Sequence, residues 1–124
     1  MQNILVVEDN PVMLSSIVYT LNKNGFNVFT ANDGMEAIEM IDKTECDLVI
    51  TDLLMPNATG LEVVYKIKEN CESRSIGVIV ITSIGNEEMI SDSFRLGADD
   101  FMQKPIIPED LLLRVRKLIQ HVEI

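Results

Sequence analysis

A chain of 124 residues, 47% of them apolar, is long enough to bury one core without disulfide or metal staples and too short for two domains. Twenty acids against ten Lys plus Arg give a formal net charge of −10, which argues against direct nucleic-acid binding or an anionic membrane surface and leaves protein partners and cations open. No apolar run approaches the ~20 residues of a membrane helix, residues 1–9 lack a basic secretory start, and Cys46 and Cys71 read as reduced packing residues, so a cytoplasmic location is expected.

The first apolar run, ILVV (residues 4–7), stops on Glu8 and Asp9. Asn10-Pro11 then makes a cap and first-turn proline for a helix whose Leu14, Ile17, Val18 and Leu21 share one face, closed by Gly25. NVFTA (residues 27–31) is the second strand candidate, followed by a weaker helix after Gly34 marked by Ile38 and Ile41. LVIT (residues 48–51) stops on Asp52, and Thr59 is placed to cap a third helix with Leu61, Val64 and Ile67 inward. GVIVIT (residues 77–82) ends in Thr82 with Ser83 behind it, and Asn86 caps a fourth helix carrying Glu87 and Glu88 in its first turn. DFMQ (residues 100–103) leads into Lys104-Pro105. Pro108-Glu109-Asp110 opens a fifth helix with Leu111, Leu112, Val115, Leu118 and Ile119 at helical spacing, and Arg114, Arg116 and Lys117 toward its far end.

Three of these runs are nearly continuous in Val, Ile and Leu, as parallel strands covered on both faces are. Five β-α units in succession predict an α/β domain over residues 1–124: a doubly wound, flavodoxin-like, five-stranded parallel sheet of order 2-1-3-4-5 with five helices. In such sheets ligands bind beyond the carboxyl ends of the strands, where the order reverses. Glu8, Asp9 and Asp52 then converge on one crevice, where their mutual repulsion requires a retained proton or a bound cation. Hard oxygen donors at a partly open site suit Mg²⁺. Thr82, Ser83 and Lys104 reach the same edge, which completes the parts that hold a phosphoryl group through in-line transfer.

On "VVEDN", "TDLLMPNATG", "VIVITS" and "GADDFMQKP", in this order and spacing, the chain resembles a receiver domain of a two-component response regulator (the CheY-like superfamily) over essentially its full length. The resemblance implies that Asp52 is the phospho-acceptor, taking a phosphoryl group from a sensor histidine kinase, a phosphotransfer protein or a small donor such as acetyl phosphate. It implies Mg²⁺ held by Asp9, Asp52 and the backbone carbonyl of Leu54, with Glu8 acting through water, and phosphoryl oxygens gripped by Thr82 and Lys104. It further implies that Phe101 is an aromatic switch coupled to Thr82, remodelling the face of the fourth helix, fifth strand and fifth helix, and that the Lys104-Pro105 bond is cis. Such a domain is a signalling switch that catalyses only its own phosphorylation and dephosphorylation. It passes its state to a downstream protein or an output domain.

Leu54 and Ile84 stand at variable positions bordering the path of the hydrolytic water, and two aliphatics there predict a long-lived phosphorylated state. The chain ends about where the fifth helix should, which fits a stand-alone regulator or a receiver cut from a longer protein. Asp100 and Arg114 occupy places where a DNA-binding subfamily makes dimer salt bridges, but Ile90 stands where that subfamily tends to carry lysine, so a monomer or weak dimer is expected. Among other classes, a flavodoxin-like cofactor binder conflicts with the acidic "EDNP" loop. An aspartyl-phosphate phosphatase lacks its DxD pair, position 54 being leucine. A phosphorylation-independent pseudo-receiver is the remaining alternative. His121 reads as a surface residue of the last helix.

Overall fold

The computed structural model describes residues 2–55, 59–69, 76–83 and 87–122, with side chains as far as residue 119. Strands and helices alternate along the chain: β1 (Asn3–Val7), α1 (Pro11–Lys23), β2 (Asn27–Ala31), α2 (Gly34–Lys43), β3 (Leu48–Asp52), α3 (Gly60–Glu69), β4 (Gly77–Thr82), α4 (Glu87–Leu96), β5 (Asp100–Gln103) and α5 (Pro108–Val122). All the strands pair in parallel in the order β2-β1-β3-β4-β5, the expected doubly wound sheet. Among the described residues no helix is long and apolar enough to cross a membrane.

Side chains on a strand alternate between faces, so each central strand feeds two cores. Leu5, Val7, Val49, Val78 and Val80 point to one side, where they meet Ala37 and Ile41 of α2 and Val63, Val64 and Ile67 of α3. Ile4, Val6, Leu48, Ile50, Ile79 and Ile81 point to the other, against Ile17 and Leu21 of α1 and Leu111, Val115 and Ile119 of α5. Burial on both faces is why β1, β3 and β4 carry almost unbroken aliphatic sequence.

The helix ends follow local chemistry. The Asn10 side chain accepts the N–H groups of Val12 and Met13, and Gly25 takes a positive φ of 90° just beyond α1. The α2 cap is a feature the apolar spacing did not show: Asp33 accepts the Glu36 N–H, and the Glu36 carboxylate accepts the Asn32 N–H. Thr59 Oγ1 accepts the Glu62 N–H at 3.4 Å, and α3 buries Val63 in addition to the expected Val64 and Ile67. The expected Asn86 cap and Cys71 lie outside the described residues, as does the side chain of His121.

At the amino edge of the sheet two aspartates repeat one device. Asp47 donates its N–H to Asn3 O and accepts the Asn3 N–H on Oδ2, both at 2.8 Å. Asp99 does the same with Val78, at 2.9 and 2.8 Å. Each residue immediately precedes its strand, so each pair extends a parallel ladder by one doubly bonded step.

Candidate functional site

The carboxyl ends of β1, β3 and β5 bring Glu8, Asp9, Asp52 and Lys104 to one place. Glu8 continues the ladder past β1, its N–H bonded to Ala31 O at 3.1 Å, and this turns its side chain wholly into the protein. Oε2 accepts the Asn10 N–H at 3.1 Å. Oε1 is buried without a hydrogen-bond partner among the described residues, although Lys104 Nζ lies 3.3 Å away. Asp52 ends β3 and is 4% exposed; its Oδ1 accepts the Leu54 N–H at 3.1 Å and its Oδ2 receives Lys104 Nζ at 2.7 Å. Asp9 stays exposed, and one carboxylate oxygen from each of Glu8, Asp9 and Asp52 lies within 4.8 Å of the others.

Lys104 reaches this cluster because its own N–H bonds to Thr82 O at 2.9 Å, carrying the β4–β5 ladder one residue past β5 before the cis Lys104-Pro105 bond. Thr82 is buried, and its hydroxyl donates to Ser83 O at 3.2 Å; Ser83 is exposed. Leu54 turns its side chain outward, 52% exposed beside the acids, while Ile84, its expected companion on the water path, lies outside the described residues.

Electrostatics sharpen the picture. Burial pushes the Glu8 carboxyl up to about 7; the Asn10 N–H opposes that shift, the charge of Asp52 adds to it, Lys104 opposes it, and a bond with Asp9 adds again. Burial disfavours charge on Lys104, but the hydrogen bond and charge of Asp52, with the charge of Glu8, outweigh it and hold the ammonium above its ordinary range. A single lysine therefore faces two buried acids, and among the described residues one oxygen has no aligned donor. Three hard oxygen donors with such a deficit fit a small divalent cation.

Phe101 is not part of this cluster. It pairs with Val80 across the β4–β5 ladder, is 37% exposed, and packs edge-on against Phe94 with ring centroids 6.1 Å apart. Nearby, Arg114 bonds Asp100 Oδ1 at 2.6 Å, Asp110 Oδ1 at 3.0 Å and the Phe101 carbonyl at 3.0 Å, so both members of the suspected dimer pair are engaged within one chain.

Gly60 carries a structural demand that the motif alone did not express. A Cβ there would overlap the carbonyl oxygen of Asp52 and stand 2.7 Å from Leu53 Cα. Its N–H bonds Leu53 O at 3.0 Å, so α3 begins in direct contact with the backbone that carries Asp52. The signal was the glycine directly after the Thr59 cap, a position where a helix gains nothing from glycine itself.

The family profile of the response regulator receiver domain matches residues 4–116. The chain belongs to that family. Receiver domains serve phosphorylation-dependent signalling in two-component systems, and this chain is a receiver domain. It is 30% identical over 121 residues to the phosphate regulon transcriptional regulatory protein PhoB of Klebsiella pneumoniae, a match covering 98% of this chain and 53% of PhoB. It is 30% identical over 123 residues to the alkaline phosphatase synthesis transcriptional regulatory protein PhoP of Bacillus subtilis, covering 99% and 50%. The chain thus spans about half the length of the curated relatives it matches. Among solved structures, a CheY-like response regulator receiver domain protein from Methanospirillum hungatei aligns with a TM-score of 0.93 at 26% identity, over 99% of this chain and 97% of that one. The signal receiver domain of a signal transduction histidine kinase from Syntrophus aciditrophicus aligns with a TM-score of 0.89 at 31% identity, over 98% and 92%.

Proposed function

We propose that residues 1–124 form one receiver domain in which Asp52 is the phospho-acceptor, and that the domain catalyses its own phosphorylation and dephosphorylation. The observation that carries this is the 2.7 Å contact of Lys104 Nζ with Asp52 Oδ2 beside a buried Glu8 oxygen that lacks a hydrogen-bond donor among the described residues. An Asp52 oxygen attacks phosphorus; the new P–O bond forms as the donor's P–N or P–O bond breaks, and the leaving group takes the electron pair. Lys104 is placed to follow the charge from the carboxylate to the phosphoryl oxygens, and Thr82 to donate its hydroxyl to one of them. Asp9, Asp52 and the Leu54 carbonyl would hold Mg²⁺ with Glu8 behind them, and the ion would neutralise charge on the transferring group. Phe101 is the residue we assign as the switch, exposed on the face of α4, β5 and α5.

The phosphoryl source on this reading is a sensor histidine kinase, a phosphotransfer protein or acetyl phosphate, in the cytoplasm. The recipient of the signal is a downstream protein or an output domain. Asp100 and Arg114 satisfy each other within one chain, which favours a monomer or a weak dimer through the switch face. The domain itself, at net charge −10, is not a nucleic-acid binder.

Intact-mass spectrometry after incubation with acetyl phosphate and Mg²⁺ tests the proposal. One phosphoryl mass is expected on the wild type, and none on Asp52→Asn or in the presence of a chelator. A wild type that gains no mass from acetyl phosphate or from any histidine kinase would make the chain a pseudo-receiver.

A further inference from the structure

The core shared by α2, α3 and α4 comes to the surface in a groove of about 410 Å³, none of whose lining residues belongs to the carboxylate cluster. Ile38, Leu61 and Leu96 are its half-buried floor, and the ring of Tyr65, 56% exposed, forms one wall. Its volume lies in the ~300–1,000 Å³ range of binding pockets, yet it is open along one side, as a site for part of a larger molecule would be.

The charges around it are unbalanced. Lys66 on the rim is paired with Asp42 at 3.5 Å. Lys68, farther along the same helix, is paired with Asp99 at 3.6 Å and also donates to Ile76 O at 3.1 Å. Glu62 and Glu69, which flank the apolar floor, have no cation partner among the described residues; Glu69 accepts a bond from the neutral Tyr65 hydroxyl. Lys66 and Lys68 are committed within the chain, whereas Glu62 and Glu69 are not ion-paired among the described residues.

We propose that this groove docks a basic amphipathic helix of a partner protein, with apolar side chains at i and i+4 on the floor and Lys or Arg beside Glu62 and Glu69. Grooves between helices take amphipathic helices in this manner. A two-fold-related second copy of this chain would set glutamate against glutamate, and an anionic membrane would be repelled. The groove is lined mainly by α3, the helix that follows Asp52 in the chain, with Ile38 of α2 and Leu96 of α4 completing it.

The probe is a synthetic peptide of about four helical turns with Leu at i and i+4 among Lys and Ala, compared with its counterpart in which Glu replaces each Lys. Methyl NMR on the full chain is expected to show Leu61, Leu96 and Ile38 shifting with the Lys peptide, and the Glu peptide binding about tenfold more weakly or worse. Glu62→Lys with Glu69→Lys is expected to reverse that preference. The matched pair Glu45→Lys with Glu109→Lys, which alters net charge equally and lies away from the groove, is expected to preserve it. Tyr65→Ala, at an exposed site, weakens binding while the melting temperature holds. Methyl shifts confined to other surfaces, no shifts at all, or equal losses in the two charge-reversed proteins would each overturn the proposal, the last by reducing the attraction to net charge.

Discussion

Asp47 and Asp99 at the amino edge of the sheet, and Glu8 and Asp52 at its carboxyl edge, carry the same functional group in opposite circumstances. The amino-edge pair stays partly in water, and each carboxylate accepts a strand N–H at 2.8 Å, so its charge is both solvated and bonded. The carboxyl-edge pair is buried, shares one ammonium, and leaves Oε1 of Glu8 without a hydrogen-bond partner among the described residues. Acids of the first kind hold strands in register. Acids of the second kind hold an electrostatic deficit that a ligand can relieve, and that imbalance marks the functional end of the sheet better than the number of acids does.

The contrast can be broken from either side. The largest effect is expected at Glu8, whose folded value of about 7 stands above its unfolded value near 4.5. The protonated form is the one the fold prefers, so the group costs nothing below the unfolded value, and stability is lost as pH rises between the two. The loss is on the order of 3 kcal/mol. In metal-free protein Glu8→Gln is therefore expected to raise the melting temperature at pH 8 and to have little effect at pH 4; equal effects at both would place the deficit elsewhere. Asp47→Ala or Asp99→Ala removes one charged acceptor from a strand N–H and should lower unfolding stability in urea by ~1–2 kcal/mol, with acetyl phosphate labelling of Asp52 unchanged. A loss of labelling in either would erase the distinction between the two edges. The smallest effect concerns the rim of the carboxyl edge, where Leu54 is half exposed. Leu54→Asn with Ile84→Glu supplies groups that can orient water, and decay of the phosphorylated mass should quicken several-fold, up to about 1.4 kcal/mol of barrier.

Much of this was legible in the residues. The strands β2, β4 and β5 have the limits their sequence suggests, because turn residues and apolar runs agree there. β3 extends one residue further to include Asp52 itself, since the ladder continues from Asp52 to Ile81. Glu8, Asp9, Asp52 and Lys104 were found because acids and a lysine terminating apolar strands are a local anomaly. Less visible were features that depend on register between distant segments. Nothing near Asp47 or Asp99 announces that its carboxylate meets the first residues of another strand, 44 or 21 positions away. The α2 cap escaped because Asn32 and Asp33 share it and Gly34 follows, a polar run that reads equally well as a turn. Glu62 and Glu69, without a cation partner among the described residues, cannot be told from other surface acids until the lysines between them are seen to be paired elsewhere.

The absence of room at Gly60 has a consequence for variation across the domain. Connecting segments are where sequence drifts fastest. Here the helix start rests on the Asp52 and Leu53 backbone with no space for even a methyl group. The alphabet at this position has one letter. A combinatorial library randomised from residue 53 to residue 61 would return diversity at other sites, while its surviving folded members kept glycine in the same place, like a fixed typographical mark around which the neighbouring letters are rewritten.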